Sequence, residues 1–392
     1  MLRTSRLVKH AFVATAALLA VLLGLSACAP TSTRGLDFDD IDKDFLDSTL
    51  LVAVSARHVV SIFPMRGSTV FVGDDNIIRH LDNDGIANIG IASQDGIVAF
   101  ADENTDYLLG SQKPVRARTK NRTSLTGSAW HEENLVSLLN QGTVDATPEA
   151  RISNALNPRK DTTVKPRVGV FGELMTCNDG IWALRQPLSN VSKERAFLDR
   201  IFPLNGPYYE VTIDTGEIYW DTSSCNGNIV TAFGGGQDGD KSEPMLFRVD
   251  ISTGTTVIRD VSGIPDSMTA WNISVNDNDV TVLLKENNEQ QTHQLWSINP
   301  KTGQTALRKT ITEKIPDDVS KQLYRVDGPY LYQLSITTDS PSTLRAFDAE
   351  SGELVKERTF DALWPIINNP RGFDDALESY NDFVVLTPVD EW

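Results

Sequence analysis

From Tyr208 onward the chain repeats one pattern of apolar and polar positions: an alternating run, a short polar turn closing on glycine, and a second alternating run. Leu246-Phe247-Arg248-Val249-Asp250, Leu295-Trp296-Ser297-Ile298-Asn299 and Leu344-Arg345-Ala346-Phe347-Asp348 each lead into such a turn. Side chains along a strand point to opposite faces in turn, so this alternation predicts β-strands rather than helices. The turns are Asp214-Thr215-Gly216, Ser252-Thr253-Gly254, Lys301-Thr302-Gly303 and Glu350-Ser351-Gly352. Glycine in the last position supplies the positive φ that a tight hairpin needs, and the Thr or Ser before it can bond locally. Beyond the first three glycines, Trp220, Ile258 and Leu307 each place a large apolar side chain four residues on.

The four glycines are spaced by 38, 49 and 49 residues. A recurring unit of that length, built from short strands, predicts the four-stranded blades of a β-propeller. Decayed copies of the unit lie upstream, one from Asp95 to Thr105 with Asp106 where glycine would stand, the other from Ser68 to Ile91 around Asp82-Asn83-Asp84-Gly85. The length available gives about seven blades, within a range of six to eight. A propeller must also join its first blade to its last. The strand-like Asp382–Thr387 near the end of the sequence and Thr49–Val54 near its start are expected to complete one blade together. The even repeat predicts one all-β domain over residues 46–392.

The stretch Ala346-Phe347-Asp348-Ala349-Glu350-Ser351-Gly352 resembles the Ala-x-Asp-x-x-Thr-Gly blade signature of the PQQ-like, quinoprotein alcohol dehydrogenase-like propeller repeats. Trp220 matches the tryptophan that closes the signature, whereas Ile258, Leu307 and Lys356 depart from it. The resemblance implies the propeller fold. A quinone-dependent dehydrogenase of that kind would imply a stacking tryptophan, adjacent disulfide-bonded cysteines and a calcium ion. Here the two candidate cysteines, Cys177 and Cys225, are 48 residues apart, so no cofactor is expected.

The sequence opens differently. Arg3, Arg6 and Lys9 precede an almost wholly apolar run over residues 11–27, which ends in Leu25-Ser26-Ala27-Cys28. This resembles a bacterial lipoprotein signal peptide, residues 1–27, cut before Cys28. The resemblance implies a diacylglyceryl thioether on Cys28, with acylation of the new amine, and two or more chains hold a protein stably at a bilayer. An uncleaved spanning helix is the alternative, although 17 apolar residues are short for one and the helix-breaking Pro30 follows. Residues 28–45, with Gly35 and the acidic Asp37, Asp39, Asp40, Asp42 and Asp44, read as a lipidated tether. The expected location is the cell envelope, on the outer side of the cytoplasmic membrane or on the periplasmic face of an outer membrane.

Charge narrows the partners. The formal net charge is −17, and losing the leader would remove three basic residues and no acidic ones. Nucleic-acid binding requires clustered Lys and Arg with a basic balance, so nucleic acid is not an expected partner. Cys177-Asn178-Asp179-Gly180-Ile181 and Cys225-Asn226-Gly227-Asn228-Ile229 are alike, which suggests equivalent positions in neighbouring repeats. In an oxidising compartment they would pair, and two buried free thiols are the alternative.

No catalytic or metal-ligating pattern emerges. His58, His80, His131 and His293 are far apart, and neither cysteine has a His or second Cys at ligand spacing. Gly234-Gly235-Gly236-Gln237-Asp238-Gly239-Asp240-Lys241-Ser242 superficially suggests a phosphate loop, but Asp240 replaces the glycine before Lys-Ser, leaving a hairpin tip as the better reading. The acidic clusters at Asp74-Asp75-Asn76 and Asn276-Asp277-Asn278-Asp279 lack calcium-loop spacing and read as turns. The function expected is that of a lipid-anchored extracytoplasmic scaffold binding other envelope proteins. The alternative is a small-ligand-binding or quinone-dependent enzyme that uses the central channel.

Overall fold

The computed structural model describes residues 33–35, the strands and many of the turns between 50 and 363, and residues 383–392. Cys28, with the leader and most of the tether, lies outside the described residues. The chain is a β-propeller of six four-stranded antiparallel blades and one five-stranded sheet that closes the ring. The first blade is β5 (Ala92–Gln94), β6 (Ile97–Ala101), β7 (Thr105–Leu109) and β8 (Val115–Arg118). The second is β9 (Ser124–His131), β10 (Asn134–Asn140), β11 (Glu149–Asn154) and β12 (Thr162–Val164). The third is β13 (Val170–Cys177), β14 (Gly180–Gln186), β15 (Arg195–Phe202) and β16 (Tyr208–Thr212). The fourth is β17 (Glu217–Asn226), β18 (Ile229–Asp238), β19 (Lys241–Asp250) and β20 (Thr255–Asp260). The fifth is β21 (Met268–Val275), β22 (Val280–Glu286), β23 (His293–Ile298) and β24 (Thr305–Ile311). The sixth is β25 (Val319–Asp327), β26 (Tyr330–Thr337), β27 (Ser342–Asp348) and β28 (Leu354–Phe360). Among the described residues the only helix is a 3-10 turn at Val389–Glu391, and no helix is long and apolar enough to cross a membrane.

Closure joins the two ends of the sequence. The closing sheet runs β1 (Thr33–Gly35), β4 (Ile78–Asp84), β3 (Arg66–Gly73), β2 (Leu50–His58) and β29 (Phe383–Val385) in that spatial order. Val52, Ala53 and Val54 pair antiparallel with Val385, Val384 and Phe383, as the sequence leads one to expect. The fifth strand, β1, adds itself in parallel to the outer edge at β4.

Packing explains the alternation. The first strands of the second to sixth blades lie against one another round the axis, and the outer strands β20, β24 and β28 are largely exposed. The middle strands bury both faces, one against each neighbouring blade. In β18, Val230 and Ala232 pack toward the third blade while Phe233 packs toward the fifth. In the closing sheet Val52 and Val54 face the sixth blade and Ala53 faces the first.

Three of the four predicted turn glycines sit where the repeat requires. Gly254, Gly303 and Gly352 lie between the third and fourth strands of their blades, at φ of 73°, 74° and 71°. The Asp or Asn four residues back is what shapes the turn. The Asn299 carboxamide oxygen accepts from the backbone N–H groups of Lys301 and Thr302 at 2.9 and 3.1 Å, and Asp348 does the same for Glu350 and Ser351. The Ser252 hydroxyl and N–H hold the Asp250 carboxyl below its ordinary range, and the Ser351 N–H does the same for Asp348. Gly303 is also pressed onto the preceding blade, where a β-carbon would collide with the Asp260 carbonyl oxygen. Gly303→Ala should therefore cost the left-handed penalty of about 1–2 kcal/mol plus that collision. Urea unfolding with no loss of midpoint would contradict this.

Gly216 is different. Its turn lies outside the described residues, and the flanking strands place it between the outer strand β16 and the next blade's inner strand β17. It is therefore not equivalent to the other three glycines, which accounts for the spacing of 38 instead of 49. A Thr-Gly pair followed by a tryptophan mimicked the repeat in sequence at a blade-to-blade connection. Trp220 accordingly belongs to an inner strand, unlike Ile258, Leu307 and Lys356 on outer strands. The decayed copy near Asp95 is shifted as well, since residues 102–104 join the second and third strands of the first blade.

Candidate binding surface on the third blade

The inner strands surround the axis of the propeller. Each inner strand from β9 to β25 carries one extra residue against its partner, at or beside Thr126, Glu173, Asp221, Trp271 and Ser320, a spacing of 47 to 50 residues. Bulges re-aim side chains. Glu173 and Asp221 are aimed at the next blade. Glu173 accepts from the Thr222 hydroxyl at 3.4 Å, and Asp221 accepts the Ala270 N–H at 3.0 Å. Beside the next bulge, Asn272 accepts the Val326 N–H at 2.9 Å. Thr176 donates to the Trp130 carbonyl at 2.8 Å, and Arg325 donates to the Phe383 carbonyl at 3.1 Å. The polar groups of the inner wall thus form a girdle that ties blade to blade. Burial raises the Asp221 carboxyl and brings the Lys321 ammonium down to about 8, the latter helped by Lys285.

The other sequence candidates resolve into structure. Cys177 and Cys225 form a disulfide between the inner strands of the third and fourth blades, with Cα atoms 5.4 Å apart. Both lie at the ends of their strands, not at the starts. Cys177 directly precedes the two-residue turn Asn178-Asp179, whereas Cys225 stands one residue further from its turn, Gly227-Asn228. The glycine-rich stretch is mostly not a tip: Gly234, Gly235 and Gly236 pair with Met245, Pro244 and Glu243 inside a long hairpin. Asp75 accepts the Ile77 N–H at 2.9 Å and Asn276 accepts the Asp279 N–H at 2.7 Å, which is turn chemistry. Among the described residues no three His, Cys, Asp or Glu side chains gather as a metal site would need.

Sequence reading missed the surface at the outer part of the third blade. The connection from β12 to β13, residues 165–169, borders an open cavity of about 210 Å³ together with residues of β15 and Leu204 beyond it. Lys165, Pro166, Arg167, Asp199, Ile201 and Leu204 line it, together with Arg200, whose guanidinium is bonded to Asp179 at 3.0 Å. Asp199 is buried at 2% exposure because β15 turns it toward the second blade. A buried carboxylate needs partners, and it has two: Arg185 Nε donates at 2.5 Å and Arg167 Nη1 at 3.4 Å. Arg185 also donates to the Val168 carbonyl at 3.2 Å, which fixes the connection in place.

The guanidinium groups are held from both sides. Arg185 lies 4.5 Å from the centre of the Phe197 ring and Arg167 lies 4.2 Å from that of Tyr208. Such stacking favours a planar cation over an aromatic face and limits its motion. Around the cavity, Val168, Val170 and Tyr208 are 55%, 47% and 49% exposed. Exposed aliphatic and aromatic side chains mixed with ordered arginine are the composition of a protein-binding surface. The cavity is smaller than the roughly 300–1,000 Å³ of ordinary cofactor sites, which suits one anchoring side chain.

No protein-family model matches the sequence, and no curated protein matches it. Solved structures with a similar chain path include apo AztD from Citrobacter koseri, at 9% identity and a TM-score of 0.43, covering 80% of this chain and 96% of that one. Hsv2 from Kluyveromyces lactis is 11% identical, with a TM-score of 0.46 and coverage of 75% and 95%. Sqt1 from Chaetomium thermophilum, solved bound to the N-terminus of ribosomal protein L10, is 11% identical with a TM-score of 0.46 and coverage of 79% and 87%.

Proposed function

We propose that this chain is a lipid-anchored extracytoplasmic propeller that serves as a protein-binding or assembly scaffold. The observation that carries the reading is the surface on the third blade, where exposed Val168, Val170 and Tyr208 surround ordered arginines. The inner wall supports it from the other direction, because its bulged acidic side chains are engaged with neighbouring strands. A rigid ring that presents loops and edges from every blade is suited to holding partners in fixed relation. The anchor rests on the sequence around Cys28.

Two measurements test the two parts. Cys28→Ser in the full chain should abolish incorporation of labelled fatty acid, and a variant that is still labelled would remove the anchor from the proposal. A photo-crosslinking residue at Val168 should capture a protein partner in cells. The same residue at Leu354, equally exposed on the sixth blade, is the control for chance collision. Equal capture at both positions, or none at Val168, would overturn the scaffold reading.

A further inference from the structure

We infer that the cavity beneath residues 165–169 is a carboxylate anchor site, and that the partner docks by an extended acidic segment alternating Glu or Asp with aliphatic residues. The inference rests on the scaffold reading and adds the chemistry of what is bound.

The first argument is local charge. Lys165, Arg167 and Arg185 oppose one carboxylate, Asp199, and Arg185 already satisfies it at 2.5 Å. Arg167 reaches that carboxylate only at 3.4 Å, is 48% exposed and keeps four of its five N–H donors to offer. Lys165 makes no hydrogen bond or ion pair among the described residues and is exposed. Two exposed cations therefore line a cavity that the apolar Ile201 and Leu204 also line. The second argument is contrast. The sequence as a whole carries −17, so an acidic partner is repelled in general and attracted at a cationic patch, which fixes where it docks.

The third argument is preorganisation. Tyr208 holds Arg167 against its ring, and Asp199 together with the Val168 carbonyl fixes Arg185 beneath it. A planar fork held in this way receives a carboxylate without first losing its freedom. Val168, next to Arg167 in the chain, and Val170 are both exposed and offer apolar contact to residues beside the acid. A small cavity, a cationic mouth and an aliphatic border together fit a peptide strand better than a free anion.

The test uses the full-length, anchored chain in detergent and an acetylated, amidated octapeptide alternating Glu with Val. Fluorescence anisotropy should show saturable binding that weakens as salt rises. An octapeptide alternating Lys with Val should not bind. Arg167→Glu should weaken binding at least tenfold, with a lower melting midpoint because Asp199 loses a partner, and Lys165→Glu should weaken it at least threefold while far-UV circular dichroism and the melting midpoint stay unchanged. If Arg167→Glu fails to fold, Lys165→Glu alone decides, since that side chain is exposed. Equal binding by wild type and Lys165→Glu overturns the inference, as does no binding of the Glu peptide at millimolar concentration. Displacement by inorganic phosphate at lower concentration than by acetate would make this a phosphate site, and anionic vesicles retaining the protein when the peptide does not would make it a membrane contact. Both also overturn it. If capture at Val168 persists in Arg167→Glu cells, the scaffold reading stands and the acidic partner falls.

Discussion

Deleting residues 383–392 is expected to leave no cooperatively folding monomer. β29 is the inner strand of the closing sheet, and Phe383, Val384 and Val389 are 1%, 3% and 4% exposed. Each such side chain contributes about 1.5–3 kcal/mol by burial, against a total domain stability of roughly 5–15 kcal/mol. The Phe383 carbonyl also holds Arg325 of the sixth blade, and Trp392 packs 6.0 Å from Tyr332. Removing the strand therefore opens the ring between the sixth blade and the closing sheet and bares an inner edge at β2. Calorimetry and size-exclusion chromatography would read the result as a lost or broad transition with association of the chain. A sharp melt at the wild-type temperature would show that the ring does not depend on this strand.

Replacing both cysteines, Cys177→Ser with Cys225→Ser, should cost about 4 kcal/mol, the chain-entropy value of a cross-link of this loop length. The closed loop spans 48 residues and contains most of the third blade. Loss should be felt first where the third and fourth blades meet, so amide exchange in β13 and β17 should quicken before that in β26. Reducing agent should reproduce the effect in the wild type and leave the double variant unchanged. An identical melting midpoint with and without reductant would refute the claim.

What could be read in advance follows from which interactions leave a residue signature. The outer turns did, because a positive φ at Gly254, Gly303 and Gly352 and an acceptor side chain before them demand particular residue types. Closure did too, since a strand with two buried faces must be apolar, as Phe383-Val384-Val385 is. The inner bulges left none. Thr126, Glu173, Asp221, Trp271 and Ser320 share position but no one residue type, because a bulge is a matter of backbone count. That ladder keeps the 47–50 residue period where the glycines broke it at Gly216. The third-blade surface was hidden for another reason: Lys165, Arg167, Arg185, Asp199 and Tyr208 come from four separate segments and meet only when β13, β14, β15 and β16 pair.

The one-residue offset between Cys177 and Cys225 bears on how a ring of copies acquires distinct joints. Blades related by rotation present corresponding side chains in the same rotational sense, so two residues at corresponding places both look clockwise or both look back. They can never touch across the joint. A strand reverses the direction of its side chains with every step, so standing one place further from its turn lets Cys225 look back at Cys177. The covalent joint exists because this pair of copies has departed from equivalence. Moving it to another joint would require transplanting the offset along with the cysteines.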